Sequence, residues 1–358
     1  MSQSIPDYSS KAPVLVTGAT GYLAGWIVKR LLEEGKTVHA AVRDPNNSQK
    51  IAHLDKMAAD LPGEIKYFKA DLLDEGSFDA AMAGCDVVMH TASPFTSDVK
   101  DPQKDLVDPA VKGTRNVLQS ANRTDSVKRV VVTSSCAAIY GDAVDVAKSS
   151  GSKLTEKDWN TTSRLDHQAY SFSKVEAEKA AWEMEKAQDR WQLVTINPSF
   201  IIGPGTAETQ TSESFNLVKQ AGDGTFKMGV PKMEIGMVDV RDVAEAHLRA
   251  GFIDEAAGRH IVSKETRDFL YICQVLRDKF GEHYPFAKGY LPKWLVWLIG
   301  PMANKALTRE MVAKNVDHPW AADNSKSKEA LGLTYRPLEP ALEDMFQQLL
   351  NNGAVARK

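Results

Sequence analysis

The sequence predicts an α/β fold, a Rossmann-type doubly wound parallel sheet joined to a smaller, mostly helical substrate domain. Three observations predict it. Short apolar stretches alternate with segments of helical periodicity through the first half of the chain. A glycine-rich run, Thr17-Gly18-Ala19-Thr20-Gly21-Tyr22-Leu23-Ala24-Gly25, directly follows the first stretch. After Pro198 the alternation breaks, and much of the remainder is rich in Trp, Pro and Leu. A βαβα rhythm of this kind implies parallel strands with helical crossovers.

The elements follow in order. Residues 14–17 form a short buried strand. Residues 21–34 read as a helix, with Leu23, Ile27, Leu31 and Leu32 near helical spacing and Gly35 as its stop. Further strands are expected at 37–42, 65–69, 87–90, 129–133 and 193–196, with helices at 77–83, 107–122 and 168–186. Gly203-Pro204-Gly205 then opens a Thr-, Ser- and Glu-rich stretch to Ser214, expected as a loop over a site. The chain is expected to return to the sheet around 237–252 and again at 260–262. The organisation this gives is interleaved. A tail covers 1–11, a dinucleotide-binding domain 12–200 and 236–262, and a substrate domain 201–235 and 263–358.

Composition excludes several classes. The chain has 358 residues, 43% hydrophobic and 25% charged, as in soluble globular proteins. A net charge of −3 gives no basic excess for nucleic acid or an anionic membrane. Cys85, Cys136 and Cys273 are too few and too scattered for a disulfide framework or a metal site. The polar residues 1–11 lack the apolar core of a signal peptide. A reducing, cytoplasmic setting fits. The most apolar run, Trp294-Leu295-Val296-Trp297-Leu298-Ile299, falls short of the roughly 20 residues of a membrane span. It is expected as a buried or groove-lining helix.

The glycine run lies between a strand and a helix, the context that gives such a motif its meaning. Gly18 permits the tight turn. Gly21 lets backbone approach a pyrophosphate, whose charge the helix N-terminus favours. The spacing is Gly-x-x-Gly-x-x-Ala. At the end of the second strand the order is Val42-Arg43-Asp44-Pro45. A carboxylate there suits a ribose 2′-hydroxyl, and an arginine suits a 2′-phosphate. Arg43 comes first and its guanidinium fits a phosphate, so NADP(H) is the expected cofactor, with Asp44 as the opposing signal.

Tyr170 and Lys174, in Tyr170-Ser171-Phe172-Ser173-Lys174, share one face of a predicted helix. On its own such a pair is commonly two exposed helix residues. Downstream of a dinucleotide loop it suggests a proton donor with its cation. An ammonium beside a phenol stabilises the phenolate, which makes the phenol a usable acid or base near neutral pH. Lys174 could also hold the nicotinamide ribose. The strand ending Val132-Thr133-Ser134-Ser135-Cys136 brings hydroxyls to the carboxyl edge of the sheet, where ligands bind in such folds. One serine there could hydrogen-bond a substrate carbonyl.

Together these residues resemble the extended short-chain dehydrogenase/reductases. They are most similar to the branch of dihydroflavonol 4-reductase, cinnamoyl-CoA reductase and the yeast and bacterial carbonyl (methylglyoxal-type) reductases. The resemblance covers nearly all of residues 12–350. It is carried by the Thr17 to Gly25 loop, Val42-Arg43-Asp44-Pro45, Asp71-Leu72 and His90-Thr91-Ala92-Ser93-Pro94. Gly113-Thr114-Arg115-Asn116-Val117-Leu118, Thr133-Ser134-Ser135, the Tyr170 to Lys174 run and Asn197-Pro198-Ser199 continue it, and Val238-Asp239-Val240-Arg241-Asp242-Val243-Ala244 completes it. The resemblance implies a catalytic triad of Ser135, Tyr170 and Lys174. It implies cofactor contacts from Gly18, Thr20, Gly21, Tyr22, Leu23 and Arg43. It puts Asp71 and Leu72 on the adenine, Thr91, Ala92 and Ser93 along the cleft, and Pro198 and Ser199 by the nicotinamide. Asn116 is expected to be structural.

One departure from the superfamily pattern is informative. Nucleotide-sugar epimerases and dehydratases usually carry the working Ser or Thr four residues before the tyrosine of a Tyr-Gly pair. Here Tyr140-Gly141 is present and that position is Cys136. The resemblance therefore implies NADPH-dependent reduction of a ketone or aldehyde, without a metal, by a monomer or homodimer acting on a small molecule. Phe95, Phe172 and Phe200, with Phe215 and Met237, are candidate walls of an apolar pocket. Two alternatives stay open at this point: an NAD-dependent nucleotide-sugar epimerase or dehydratase, and a non-enzymatic NADP-binding sensor.

Overall fold

The computed structural model describes residues 6–93, 99–210, 212–303 and 307–356. The strands are β1 (Val14–Thr17), β2 (Thr37–Val42), β3 (Glu64–Lys69), β4 (Val87–His90), β5 (Arg129–Thr133), β6 (Gln192–Pro198), β7 (Phe200–Ile202), β8 (Glu234–Asp239), β9 (Gly258–Val262) and β10 (Glu265–Asp268). Seven of them form a parallel sheet in the order β3-β2-β1-β4-β5-β6-β9. The order reverses between β1 and β4, so the crevice at their carboxyl ends is the expected ligand position of a doubly wound sheet.

Period-2 alternation sends each strand's residues to two cores. Val14, Val16 and Val131 face one side, where Ile27, Val28 and Leu31 of α1 (Tyr22–Glu33) meet Val243 and Leu248 from a later helix. Leu15, Val88, Val130 and Val132 face the other side. There they meet Phe78, Met82, Val117, Leu118 and Ala181, from the short helix Asp79–Met82 with its N-cap and from two long helices. With α2 (Ser48–Asp60) and α3 (Asp79–Met82) counted, the long pair are α4 (Asp108–Arg123) and α6 (Ala169–Lys186), which pack on each other. The single turn α5 (Ala143–Val146) lies between them in sequence. α4 begins one residue later than its periodicity predicts, behind a π-helical turn at Gln103–Val107. Pro109, which has no N–H to donate, is tolerated because it lies in the first turn.

The second half departs from expectation first at β8. This strand, which overlaps the predicted return at 237–252 only over 237–239, does not join the large sheet. It pairs parallel with β7 and antiparallel with β10 in a separate three-stranded sheet. The switch happens at Ser199, whose N–H donates to Val262 O on β9 while the chain turns away into β7. The return is made instead by α8 (Val240–Phe252), packed beside α1, and by β9, paired with β6. The small sheet is covered by α7 (Glu213–Asp223), α9 (Phe269–Phe280) and α13 (Leu338–Asn351), with Ile202, Phe215, Met237, Leu276 and Phe346 in their shared core.

α10 (Lys293–Ala303), α11 (Arg309–Asn315) and α12 (Ser325–Ala330) complete the chain. The apolar run at 294–299 was expected to be buried or to line a groove, and it does not behave so. Val296 is buried with Val312 and Val316, but Trp294 is 67% exposed and Met302 89% exposed. α10 packs chiefly on α11, which leaves much of its other face exposed among the described residues. Also among the described residues, no helix is long and apolar enough to cross a membrane.

The two halves meet at the start of α1. Tyr22 Oη donates to Gly203 O at 2.6 Å and Trp26 Nε1 to Pro204 O at 2.7 Å. The ring of Tyr22 stands edge-on to Phe215. Gly25 lies directly under the loop that follows, where a Cβ would stand 2.1 Å from Thr206 Oγ1.

Candidate active site

The β1–α1 turn has the shape a dinucleotide phosphate requires. Gly18 takes φ +63, and a Cβ on it would stand 3.1 Å from Ala92 at the end of β4. A side chain there meets both a backbone penalty and a neighbour. Gly21 caps α1 with no side chain on the terminal N–H groups, and the first turn carries no acidic residue. That leaves an uncontested positive helix end. Arg43 projects into solvent just past β2. Ser199 Oγ, at the far end of the crevice, is buried without a hydrogen-bond partner. A glycine cradle, an open helix end and an orphaned hydroxyl fit a bound dinucleotide.

β4 is locked to β1 beneath this cradle. Thr17 Oγ1 accepts the N–H groups of Thr91 and Ala92 at 3.2 and 3.0 Å, and Thr91 Oγ1 donates to Thr17 O at 2.6 Å. The Thr17 hydroxyl hydrogen is then left for His90 Nδ1, 2.9 Å away. That assignment needs a neutral His90. Burial, helped by the charge of Lys174, pushes its pKa down to about 4. Asn116 holds the next loop, donating to Leu72 O and Asp74 O and accepting from Gly76 N–H. Leu72, Ala92, Ser93 and Lys174 line one cavity with His90 and Ser134.

The three hydroxyls after β5 have three destinations. Thr133 pairs with His247 Nε2 at 2.7 Å, behind the sheet. His247 Nδ1 donates to Val243 O, and burial holds this ring neutral with a pKa pushed down to about 4. Ser134 donates to the carboxylate of Glu178 and is buried. Ser135 Oγ accepts from Ala137 N–H at 3.1 Å, and its own hydrogen has no partner among the described residues. Of the three, only the Ser135 hydroxyl is left able to donate to a bound molecule.

Tyr170 and Lys174 lie one turn apart on α6, the arrangement their spacing predicts. The ammonium stands 5.5 Å from the centre of the Tyr170 ring and donates to Ser93 Oγ at 3.0 Å. Tyr170 is 53% exposed, and its phenol has no hydrogen-bond partner among the described residues. α6 packs against the turn at Cys136–Ala138, next to Ser135.

A buried network that the sequence reading missed supports this edge. Glu178, one further turn along α6, is 1% exposed. Its carboxylate accepts from Arg259 Nε at 2.6 Å, Asn197 Nδ2 at 2.8 Å and Trp182 Nε1 at 3.2 Å, besides Ser134. Asn197 Nδ2 also donates to Ser135 O at 3.2 Å. The spacing Tyr170, Lys174, Glu178 was a readable signal, since all three share one helix face. Cys136 lies inside this support. Its thiol is buried 3.3 Å from Asn197 O, and burial pushes its pKa up to about 12.

The remaining expected residues are scattered. Leu23 is buried in the first core, and Phe215 and Met237 are buried in the second. Phe200 packs partly buried against the second core, and Phe172 is half-buried on α6. Phe95 lies outside the described residues.

Residues 14–262 match the family model described as "NAD dependent epimerase/dehydratase family". The chain belongs to that family. Among its relatives, cinnamoyl-CoA reductase CAD2 of Medicago truncatula is 38% identical over 94% of this chain and 95% of its own. Tetraketide alpha-pyrone reductase 1 of Arabidopsis thaliana is 38% identical over 97% of this chain and 98% of its own. The structure of Gre2 from Candida albicans in complex with NADPH superposes with a TM-score of 0.74 at 31% identity, covering 95% of this chain and 99% of that one. Reductases of the branch that its motifs resemble are thus among the relatives of this chain.

Proposed function

We infer that the protein reduces a ketone or aldehyde to the alcohol with NADP(H), in a reaction reversible in principle, with Tyr170 as the proton donor. The observation that carries this reading is the division of labour after β5. Thr133 and Ser134 are committed to His247 and Glu178, while Ser135 keeps its hydroxyl hydrogen free among the described residues, just before the turn that α6 packs against. The relatives named as reductases and the NADPH complex of Gre2 support it.

In this reading the helix end at Gly21 and the guanidinium of Arg43 hold the phosphates of the cofactor. Asp71 and Leu72 would hold its adenine, Thr91, Ala92 and Ser93 would line the cleft, and Pro198 and Ser199 would contact its nicotinamide. NADPH, when bound, supplies the hydride that the carbonyl carbon receives. Ser135 donates a hydrogen bond to the carbonyl oxygen, which gains negative charge as the carbon is reduced. Tyr170 gives that oxygen its proton, and the exposed phenolate recovers one from water. Lys174 stabilises the phenolate by its charge. Phe172 and Phe200 act as apolar walls, which favours aromatic or aliphatic carbonyls. With β7 and β8 in the small sheet, the expected bounds shift: residues 12–199 and 240–262 carry the cofactor, and 200–239 and 263–358 enclose the substrate.

The family description also covers epimerases and dehydratases. A buried thiol with its pKa raised to about 12 stands where those enzymes would have a hydroxyl, so Cys136 favours the reductase reading. The test is a panel of aldehydes and ketones run with NADPH and NADH in parallel. NADPH oxidation coupled to alcohol formation is expected. Tightly bound NAD released on denaturation, with no net oxidation of NADPH, would favour the epimerase. Equal rates with NADH would remove the role given to Arg43.

A further inference from the structure

We propose that Asp142 is a positioning residue that fixes where the Tyr170 side chain stands, acting through the amide of Gln168. The proposal rests on the reading of Tyr170 as the proton donor. Asp142 is fully buried. Its Oδ2 accepts from His167 Nε2 at 2.8 Å, and its Oδ1 accepts from Gln168 Nε2 at 2.8 Å and from Asn315 Nδ2 at 2.7 Å. Lys314 Nζ stands 3.6 Å from Oδ2. Asn315 Oδ1 in turn accepts from Ala143 N–H at 2.9 Å. One carboxylate therefore joins the two residues that immediately precede the Tyr170 helix to α11, far along the chain.

Gln168 is the coupling piece. It caps α6 in the left-handed region, at φ 59 and ψ 47, with no side-chain bond to the helix end. Glutamine has no special tolerance for that region, unlike glycine or asparagine. Its amide is what holds it there, donating to Gly141 O at 2.6 Å as well as to Asp142. Tyr170 follows two residues later in the first turn. Its ring is more exposed than buried and meets Lys174 at the distance of a cation–π contact. With little packing of its own, the phenol takes its position from the backbone that enters the helix. A carboxylate suits this hub because it only accepts. An asparagine would turn an N–H group toward groups that are already donors.

The test uses the full chain with Gln168→Met and Asp142→Asn. Methionine keeps the length of the side chain and removes the amide. In Gln168→Met, kcat with a simple aldehyde is expected to fall about 10- to 100-fold. The KM for NADPH and the thermal midpoint should stay near the parent values, and the solvent isotope effect on kcat should rise as proton delivery becomes slower. Asp142→Asn should move the same way. If it does not fold, Gln168→Met decides alone. A 13C-tyrosine spectrum gives a readout independent of turnover, with the Tyr170 signal identified by its loss in Tyr170→Phe. That signal should shift or split in Gln168→Met. Unchanged kcat and an unmoved signal overturn the proposal. So does a parallel fall of kcat, NADPH affinity and thermal midpoint, which marks a merely structural role. If the parent reduces no carbonyl, the reading of function fails, and the Tyr170 signal alone decides the positioning.

Discussion

At the β1–α1 turn, each needed contact comes from residues close by in the folded sheet: Gly18 against Ala92, Thr17 against Thr91, Ala19 N–H on Ala41 O. At α6 the contacts are made by buried polar and charged side chains. Asp142 and Asn315 hold Gln168 and His167, and Arg259 holds Glu178. The cofactor end is thus built from a repeated local pattern, strand–turn–helix. The Tyr170 end is built from buried charges brought together by tertiary structure. The first should tolerate remote change and fail on small local additions of volume. The second should tolerate surface change and fail when one buried partner is removed.

Substitutions can break or sharpen that contrast. The largest effect is expected from Tyr170→Phe, which should lower kcat by about 10²- to 10⁴-fold while NADPH titration shows retained binding. Parent-like turnover would remove Tyr170 from the mechanism. Glu178→Ala leaves Arg259 buried and unpaired, so denaturant melts should show a loss of about 3–5 kcal/mol. A loss below about 1 kcal/mol would mean that the ion pair contributes little to holding the sheet edge. Gly18→Val adds volume against Ala92 at a left-handed position, with a strain of about 1–3 kcal/mol. It should raise the Kd of NADPH about 10- to 100-fold and leave kcat at saturating cofactor near the parent value. Arg43→Gln should cut the preference for NADPH over NADH by about tenfold, through loss of one charged hydrogen bond.

The smallest effect is pH-dependent. His90 and His247 are buried neutral, with folded pKa values pushed down to about 4 from an ordinary 6.5. Below pH 6.5 the unfolded chain binds protons that the folded chain refuses. The stability from these two residues is therefore complete above that pH and is lost as pH falls toward 4. Between pH 7 and 6 the urea midpoint should drop by the equivalent of roughly 1 kcal/mol. A flat midpoint over that range would show that these rings do not hold the neutral form.

The same contrast explains what the sequence made legible. Alternation along β1 to β6 is dictated by local burial, so the doubly wound sheet can be read from apolar period and turn residues alone. The glycine turn, and the sharing of one helix face by Tyr170 and Lys174, can be read in the same way. The separate sheet of β7, β8 and β10 was hidden because its strand directions depend on a turn at Ser199 and on partners far along the chain. The exposure of α10 was hidden too, since hydropathy reports what a helix prefers and not whether a neighbour is there to cover it. Asp142, Asn197 and Arg259 carry no local signature. Each acts only through residues brought close by the tertiary fold.

Gly25 sits in the glycine motif, yet its neighbour is Thr206 of the following region and no phosphate is needed to explain it. At this position α1 and the loop after β7 share one volume. A methyl group at residue 25 would act as a wedge, prying the two halves apart without touching any reacting group. Any attempt to graft a different segment after β7 onto this sheet inherits that constraint. The incoming loop must bring a side chain that fits over a bare backbone, or the helix and the loop will be held apart.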